Sequence, residues 1–95
     1  MNIQKILHEA DPLIVDVREP FEFAMGHVEG ATNVPLGQIP AHIDEYRDLG
    51  KPIVFYCRSG MRSGQAVAFL GGLGVHDIYN GGGLEDMMYL LKVNA

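Results

Sequence analysis

The chain has 95 residues, which suits a single domain over residues 1–95 and leaves no room for a second one. Hydrophobic residues make up 47% of it, enough for a packed core, and its net charge of −5 argues against nucleic acid or an anionic membrane surface as the main partner. The one cysteine cannot form an internal disulfide and no apolar stretch is long enough to span a membrane, so a cytoplasmic location is expected.

The chain begins with the pattern of a short amphipathic helix followed by a buried strand. Apolar side chains recur at the three- and four-residue spacing of a helix over residues 2–10. Pro12 ends this helix, and the apolar run over residues 13–17 predicts a strand.

A second and a third helix are predicted before the middle of the chain. Pro20 fits the first turn of the second helix, which ends at Gly26 and has three apolar residues on one face: Phe21, Ala24 and Met25. Residues 30–35 predict a turn and a short extended segment. The third helix is expected from about Pro40 to just before Gly50.

The second half of the chain continues the alternation of strands and helices. Residues 52–56 form the clearest strand pattern, because they are rich in β-branched and aromatic side chains. A helix with apolar residues at helical spacing follows and ends at Gly74, and residues 75–79 predict another strand. The glycines at 81–83 are interpreted as a tight turn, and the apolar spacing over residues 84–91 marks a C-terminal helix.

This alternation predicts an α/β fold with a mostly parallel sheet of four to five strands and helices on both faces. In such a sheet the loops after the strands gather along one edge, where ligand sites form. Asp16, Cys57 and residues 80–83 are therefore expected to lie toward the same edge.

Cys57 is the main candidate for a functional residue. A lone cysteine is most often a small buried hydrophobe, but Arg58, Ser59 and Gly60 follow this one and do not belong in a core. Two arginines and the start of the next helix would favour the thiolate, and the loop amides could bind an anion. Four residues separate Cys57 from Arg62.

The sequence resembles the small single-domain rhodanese family of sulfurtransferases from about Leu13 to about Leu90. The stretch from Cys57 to Ser63 is similar to the active-site loop of that family, and Gly82-Gly83 followed after three residues by Met87 is similar to its carboxy-terminal signature. Further matches lie in the amino-terminal signature: Asp16-Val17-Arg18-Glu19, Glu22, Gly26-His27-Val28-Glu29-Gly30-Ala31 and Asn33-Val34-Pro35. The family usually has tryptophan at the position of Met87, where a core-packing residue is expected.

The resemblance implies a rhodanese-like three-layer sandwich and sulfur transfer through a persulfide on Cys57. A small anionic donor such as thiosulfate would load the sulfur, and cyanide or a thiol would accept it, with a protein donor or acceptor also conceivable. No cofactor is implied. The substrate-binding residues would be those of the loop: Arg58, Ser59, Gly60, Met61 and Arg62.

Three other functions stay open as alternatives. Cysteine phosphatases have five residues between the cysteine and the arginine, whereas Arg62 falls one position early and Ser63 stands at the phosphatase position. A non-catalytic interaction module of the same fold is a second alternative, although such modules often lose the cysteine. A relay carrier that passes persulfide between proteins would also use Cys57.

The remaining polar residues are expected to have structural roles. For Asp16 and Arg18, an ion pair or loop-fixing hydrogen bonds near the active edge are expected ahead of contact with substrate, and His27 is not expected to act as a base. Glu85 and Asp86 suit the first turn of the last helix. The other three histidines are scattered without ligand spacing, so no metal site is expected.

Overall fold

The computed structural model describes residues 2–93. In chain order it contains these elements: α1 (Ile3–Glu9), β1 (Leu13–Asp16), α2 (Pro20–Met25), β2 (Thr32–Asn33), a 3₁₀ helix (Leu36–His42), α3 (Ile43–Asp48), β3 (Ile53–Cys57), α4 (Met61–Gly72), β4 (Ile78–Gly83) and α5 (Leu84–Lys92). Among these, no helix is long and apolar enough to cross a membrane.

The four strands form one sheet in the order β2-β1-β3-β4, and every neighbouring pair is parallel. β3 lies between β1 and β4, and all five of its residues are buried. A parallel strand covered on both faces needs apolar side chains on both sides, which explains the continuous apolar run. The predicted parallel sheet is confirmed, with four strands.

Side chains alternate along β3 and build two apolar clusters, one on each face of the sheet. Ile53, Phe55 and Cys57 belong to the cluster that α3 and α4 cover. Val54 and Tyr56 belong to the other cluster, which includes residues of α1 and α5. Helices therefore cover both faces, as predicted for a three-layer sandwich.

Met87 occupies the second cluster and is fully buried. Its neighbours there are Ile6, Val28, Val54 and Tyr56. The prediction that this position packs into the core is confirmed, and a flexible thioether fills the space.

The glycines at 81–83 correct one prediction, because they lie in β4 and not in a tight turn. β4 begins at Ile78, three residues later than predicted, after Asp77 adopts a positive φ of 62°. A Cβ at Gly81 would overlap the side chains of Met87 and Val54, and one at Gly83 would overlap the Arg58 carbonyl. These glycines permit close approach of neighbouring groups to an extended strand.

Two predicted helices differ from the structure in detail. The third helix begins earlier, as the 3₁₀ helix that contains Pro40, and becomes α-helical only at Ile43. α2 forms as predicted, but its apolar face does not reach the core: Phe21 and Met25 are 68% and 85% exposed. These side chains instead stand beside the Cys57 loop, as described below.

Candidate active site

Cys57 is the last residue of β3, and its side chain is buried at the edge where the parallel strands end. It pairs with Gly83 in the β3–β4 ladder, and Asp16 ends the neighbouring strand β1. The expected convergence of Asp16, Cys57 and residues 80–83 at one edge is therefore observed. Because side chains alternate between the two faces along β3, the Cys57 sulfur lies on the face covered by α4.

The loop after Cys57 turns back over the sulfur before α4 begins at Met61. Gly60 makes this turn with a φ of 98°, a conformation that side-chain-bearing residues rarely adopt. A Cβ on Gly60 would also lie 3.2 Å from the Gly82 Cα, so the loop and β4 pack closely here. Glycine is thus required twice, by the backbone conformation and by its neighbour.

Hydrogen-bond donors converge on the Cys57 sulfur. The Gly60 N–H donates to Sγ at 3.0 Å, and the Ser63 hydroxyl lies 3.4 Å from it. Burial raises the pKa of this thiol, but the Ser63 hydroxyl and the backbone N–H groups of Ser63, Ser59 and Gly60 outweigh burial and lower its pKa below the usual value. The site therefore favours a thiolate or another sulfur anion.

The two arginines of the loop have different surroundings. Arg62 donates to both carboxylate oxygens of Glu22, at 2.7 and 3.0 Å, and so links α4 to α2. This pair raises the pKa of Arg62 and lowers that of Glu22 to about 2. Arg58 is exposed and forms no ion pair with any residue between 2 and 93. Arg58 is therefore the loop cation that remains free for an anionic ligand.

A cavity of about 700 Å³ opens beside the loop. Phe21 and Met25 of α2 and Leu84 of α5 supply its apolar wall. Its charged lining residues are Arg18, Glu22, Arg58 and Glu85. The exposed apolar face of α2 is thereby explained as the wall of this cavity. Of the loop residues expected to bind substrate, Arg58 lines this cavity, whereas Ser59 and Met61 are exposed but are not among its lining residues.

Asp16 and Arg18 form a buried ion pair, as predicted. The guanidinium of Arg18 donates to both Asp16 oxygens, with a shortest distance of 2.8 Å, and also to the Gly26 carbonyl. The Asn33 amide donates to the Asp16 and Arg18 carbonyls. This network fixes the segment that leads into α2, the helix whose Glu22 binds Arg62.

Asn80 is a site residue that was expected at this edge only as part of a turn, without a role in the site. Its Oδ1 accepts from the Ser63 hydroxyl at 2.7 Å and from the Gly82 N–H at 3.0 Å, and its Nδ2 donates to the Gly60 carbonyl at 3.0 Å. One amide thus joins β4, the loop and the first turn of α4. Its position before three glycines is typical of a turn residue, so no signal distinguished it.

The other polar residues near the site have structural partners. His27 stacks on Phe23 and its Nδ1 lies 2.8 Å from the Phe23 carbonyl. Asp86 accepts from the Gly83 N–H at 2.7 Å at the start of α5. Between residues 2 and 93, no group of three or more potential ligands is arranged to hold a metal ion.

Comparisons with known proteins agree with this geometry. The family model described as "Rhodanese-like domain" matches residues 2–87. Thiosulfate sulfurtransferase PspE of Escherichia coli (strain K12) is 36% identical over 74 residues, which are 77% of this chain and 71% of that protein. The structure described as "rhodanese with anions from E. coli" has a TM-score of 0.72 at 36% identity, covering 79% of this chain and 89% of that one.

Other relatives have different descriptions. The uncharacterized protein YqhL of Bacillus subtilis (strain 168) is 45% identical over 67 residues, or 70% of this chain. The match covers 52% of that relative, so the chain spans about half its length. A tRNA uridine(34) hydroxylase of Brucella ovis is 33% identical over 80 residues, which cover 79% of this chain and 26% of that protein.

Proposed function

The chain belongs to the rhodanese-like domain family, and from that premise we propose that it is a sulfurtransferase that carries sulfane sulfur as a persulfide on Cys57. The observation that supports this most directly is the buried Cys57 sulfur, with the Gly60 N–H directed at it and the Ser63 hydroxyl within 3.4 Å of it. The thiolate is the nucleophile in sulfur exchange, and these donors favour it.

The proposed first step loads the sulfur from an anionic donor such as thiosulfate. The Cys57 thiolate attacks the outer sulfur of the donor with its electron pair, and a new S–S bond forms. The S–S bond of thiosulfate breaks, and its electron pair leaves with sulfite. The exposed Arg58 is the cation that would attract the donor, because Glu22 already neutralises Arg62.

The proposed second step unloads the sulfur onto an acceptor. Cyanide or a thiolate attacks the terminal sulfur of the persulfide, whose bond to Sγ breaks. The electron pair returns to Sγ, which restores the Cys57 thiolate. Both steps are displacements at sulfur, so covalent catalysis divides one transfer into two and needs no cofactor. The loop amides from Arg58 to Arg62 would stabilise the persulfide anion.

The arrangement of Arg62 also favours sulfur over phosphate as cargo. In the bidentate form that arginine often uses to bind phosphate, the guanidinium directs two N–H groups at two phosphate oxygens. Both terminal nitrogens of Arg62 are instead bound to Glu22. We include a cytoplasmic location in the proposal, because a lone cysteine without a disulfide partner suits a reducing compartment.

A persulfide relay between proteins is a second candidate. The observation that favours it is the apolar wall of the cavity, where Phe21 and Met25 are largely exposed. A small dianion gains nothing from such a wall, whereas an apolar protein segment would. In this case Cys57 would still carry the sulfur, but turnover with thiosulfate would be poor.

Intact-protein mass measurement after incubation with thiosulfate tests the proposal. We expect a gain of one sulfur atom that a reductant removes, and no gain in the Cys57→Ala variant. Catalytic sulfur transfer to cyanide should be lost in Cys57→Ser. An adduct that forms without catalytic turnover favours the relay, whereas the absence of an adduct with thiosulfate and with a small organic persulfide contradicts both candidates.

A further inference from the structure

The Ser63 hydroxyl lies between two acceptors but has only one proton to donate. Asn80 Oδ1 is 2.7 Å from Ser63 Oγ, and Cys57 Sγ is 3.4 Å from it. Ser63 is fully buried, in the first turn of α4. Its proton must therefore be directed to one of these acceptors at a time.

The surroundings of Asn80 fix which end of its amide faces Ser63. The Gly82 N–H can only donate, so the atom it contacts must be Oδ1, and the Gly60 carbonyl can only accept, so its partner must be Nδ2. Oδ1 therefore faces Ser63, and the short contact between them requires Ser63 to donate. In this arrangement the Ser63 oxygen is free to accept from a neutral thiol.

A change in the charge of the sulfur changes which acceptor is the stronger one. A hydrogen bond to an anion is about twice as strong as one between neutral groups. The amide oxygen is the better acceptor beside a neutral sulfur, and a thiolate is the better acceptor once the sulfur is ionised. Rotation about the Cβ–Oγ bond is sufficient to move the proton from one direction to the other.

We propose that Asn80 is a positioning residue that acts on the Cys57 sulfur through the Ser63 hydroxyl. The Asn80 Oδ1 accepts the hydrogen bond of this hydroxyl while the sulfur is neutral, and the hydroxyl turns to the sulfur when the sulfur becomes anionic. This inference rests on the proposed function for its place in catalysis. When the persulfide forms, the negative charge leaves Sγ for the terminal sulfur and the hydroxyl returns to Asn80. When the acceptor removes the terminal sulfur, Sγ becomes a thiolate again and accepts the hydrogen bond of the Ser63 hydroxyl.

Charged groups on the surrounding elements are Arg58 in the loop, Arg62 on α4 with its partner Glu22 on α2, Asp16 at the end of β1 with Arg18 after it, and Asp86 on α5. Of these, Arg62 interacts electrostatically with Cys57. None of them changes in the variants below, so their direct effects enter every variant alike. If a change at Asn80 acted only through charge or through the loop conformation, it would shift the pKa of Cys57 equally with and without the Ser63 hydroxyl.

The test measures how much Ser63→Ala raises the pKa of Cys57 in three backgrounds: the unchanged chain, Asn80→Asp and Asn80→Ala. The rate at which the thiolate is alkylated, followed against pH by intact-protein mass, reports this residue because the chain has one cysteine. The rise should be smallest with Asn80→Asp, since a carboxylate retains the proton, and largest with Asn80→Ala, since only the sulfur then accepts it. We expect at least about a threefold difference in the thiol ionisation constant between these extremes.

Ser59→Ala is the matched control, because this exposed neighbour in the loop interacts with Cys57 through its backbone N–H. It should leave the pKa of Cys57 unchanged. If Ser63→Ala raises the pKa equally in all three backgrounds, Asn80 does not act through the hydroxyl and the inference is wrong. If one Asn80 variant does not fold, the other and the unchanged chain still give the comparison. Thiol ionisation requires no sulfur transfer, so this result is independent of the proposed activity.

Discussion

At the scale of single residues, hydrogen-bond donors of the loop and of α4 stabilise the charge on the Cys57 sulfur, rather than an arginine in contact with it. The Gly60 N–H and the Ser63 hydroxyl reach the sulfur, whereas the Arg62 guanidinium is bound to Glu22. The Gly60 N–H is fixed by the backbone and needs no rearrangement when charge appears on the sulfur, whereas the Ser63 hydroxyl has only to rotate about its Cβ–Oγ bond. Reactivity should therefore depend on the conformation of the loop more than on its net charge.

Gly60→Ala tests this dependence. The φ of 98° and the 3.2 Å approach to the Gly82 Cα oppose a side chain, so the Gly60 N–H should move away from Sγ. We expect the pKa of Cys57 to rise and sulfur transfer from thiosulfate to fall by about tenfold or more. Gly71→Ala is the control, because an added Cβ there has no close neighbours. Unchanged activity and pKa in Gly60→Ala would contradict the role of this donor.

The sequence predicted the Cys57 loop better than it predicted its supports. The loop residues are adjacent in the chain, so their spacing alone indicated an anion-binding turn before a helix. Asn80 reaches Gly60 and Ser63 from 20 and 17 residues away, and a single polar residue before glycines has the usual composition of a turn. Contacts of that separation depend on tertiary packing, which local patterns do not encode.

At the scale of elements, α2 and α4 are joined across the site by the pair between Glu22 and Arg62. The Glu22 and Arg62 side chains are 17% and 33% exposed, so the pair is partly screened from water. α2 has only six residues and buries none of them, so its own packing stabilises it little. The pair therefore holds the cavity wall in place more than it stabilises the core.

Glu22→Gln should lower the free energy of unfolding by about 1 kcal/mol near neutral pH, a value reduced for solvent screening. Since folding lowers the pKa of Glu22 from 4.5 to about 2, this stabilisation is fully present above about pH 4.5 and is lost as the pH falls toward 2. Urea unfolding of both chains at several pH values between 7 and 3 measures it. Glu29→Gln, at an exposed residue, is the control. A difference that does not shrink on acidification would contradict the ion-pair explanation.

The existence of β4 was predicted correctly, but its bounds were not. Its apolar residues end at Tyr79, and a run of glycines after an apolar segment is typical of a turn. The strand continues because Gly81 and Gly83 lie against Met87, Val54 and the Arg58 carbonyl, where a side chain would not fit. The register of the β3–β4 ladder shifts between Phe55 and Cys57, at the level of these glycines. The sequence shows the glycines, but the neighbours that make them part of the strand come from distant positions of the chain and could not be predicted.

At the scale of the whole molecule, one sheet with an apolar cluster on each face holds the chain together. The alternation along β3 supplies both clusters, so the layer order could be predicted from strand and helix spacing. The cluster beneath α1 and α5 is the smaller one, with five fully buried members. A domain of this size is stable by only about 5–15 kcal/mol, so one large side chain in the smaller cluster matters.

Met87→Ala tests how much that cluster contributes. The side chain is fully buried against Ile6, Val54 and Tyr56, so its removal loses apolar contacts and leaves a cavity. We expect the free energy of unfolding to fall by about 2–5 kcal/mol. Met88→Ala is the matched control, because the next residue of α5 is 52% exposed and should change stability by less than about 0.5 kcal/mol. Chemical denaturation measures both variants, and a loss below about 1 kcal/mol in Met87→Ala would show that the surrounding side chains close the space. Because α5 begins directly after the β4 glycines that contact the loop, sulfur transfer by the folded Met87→Ala fraction tests whether this core also positions Cys57.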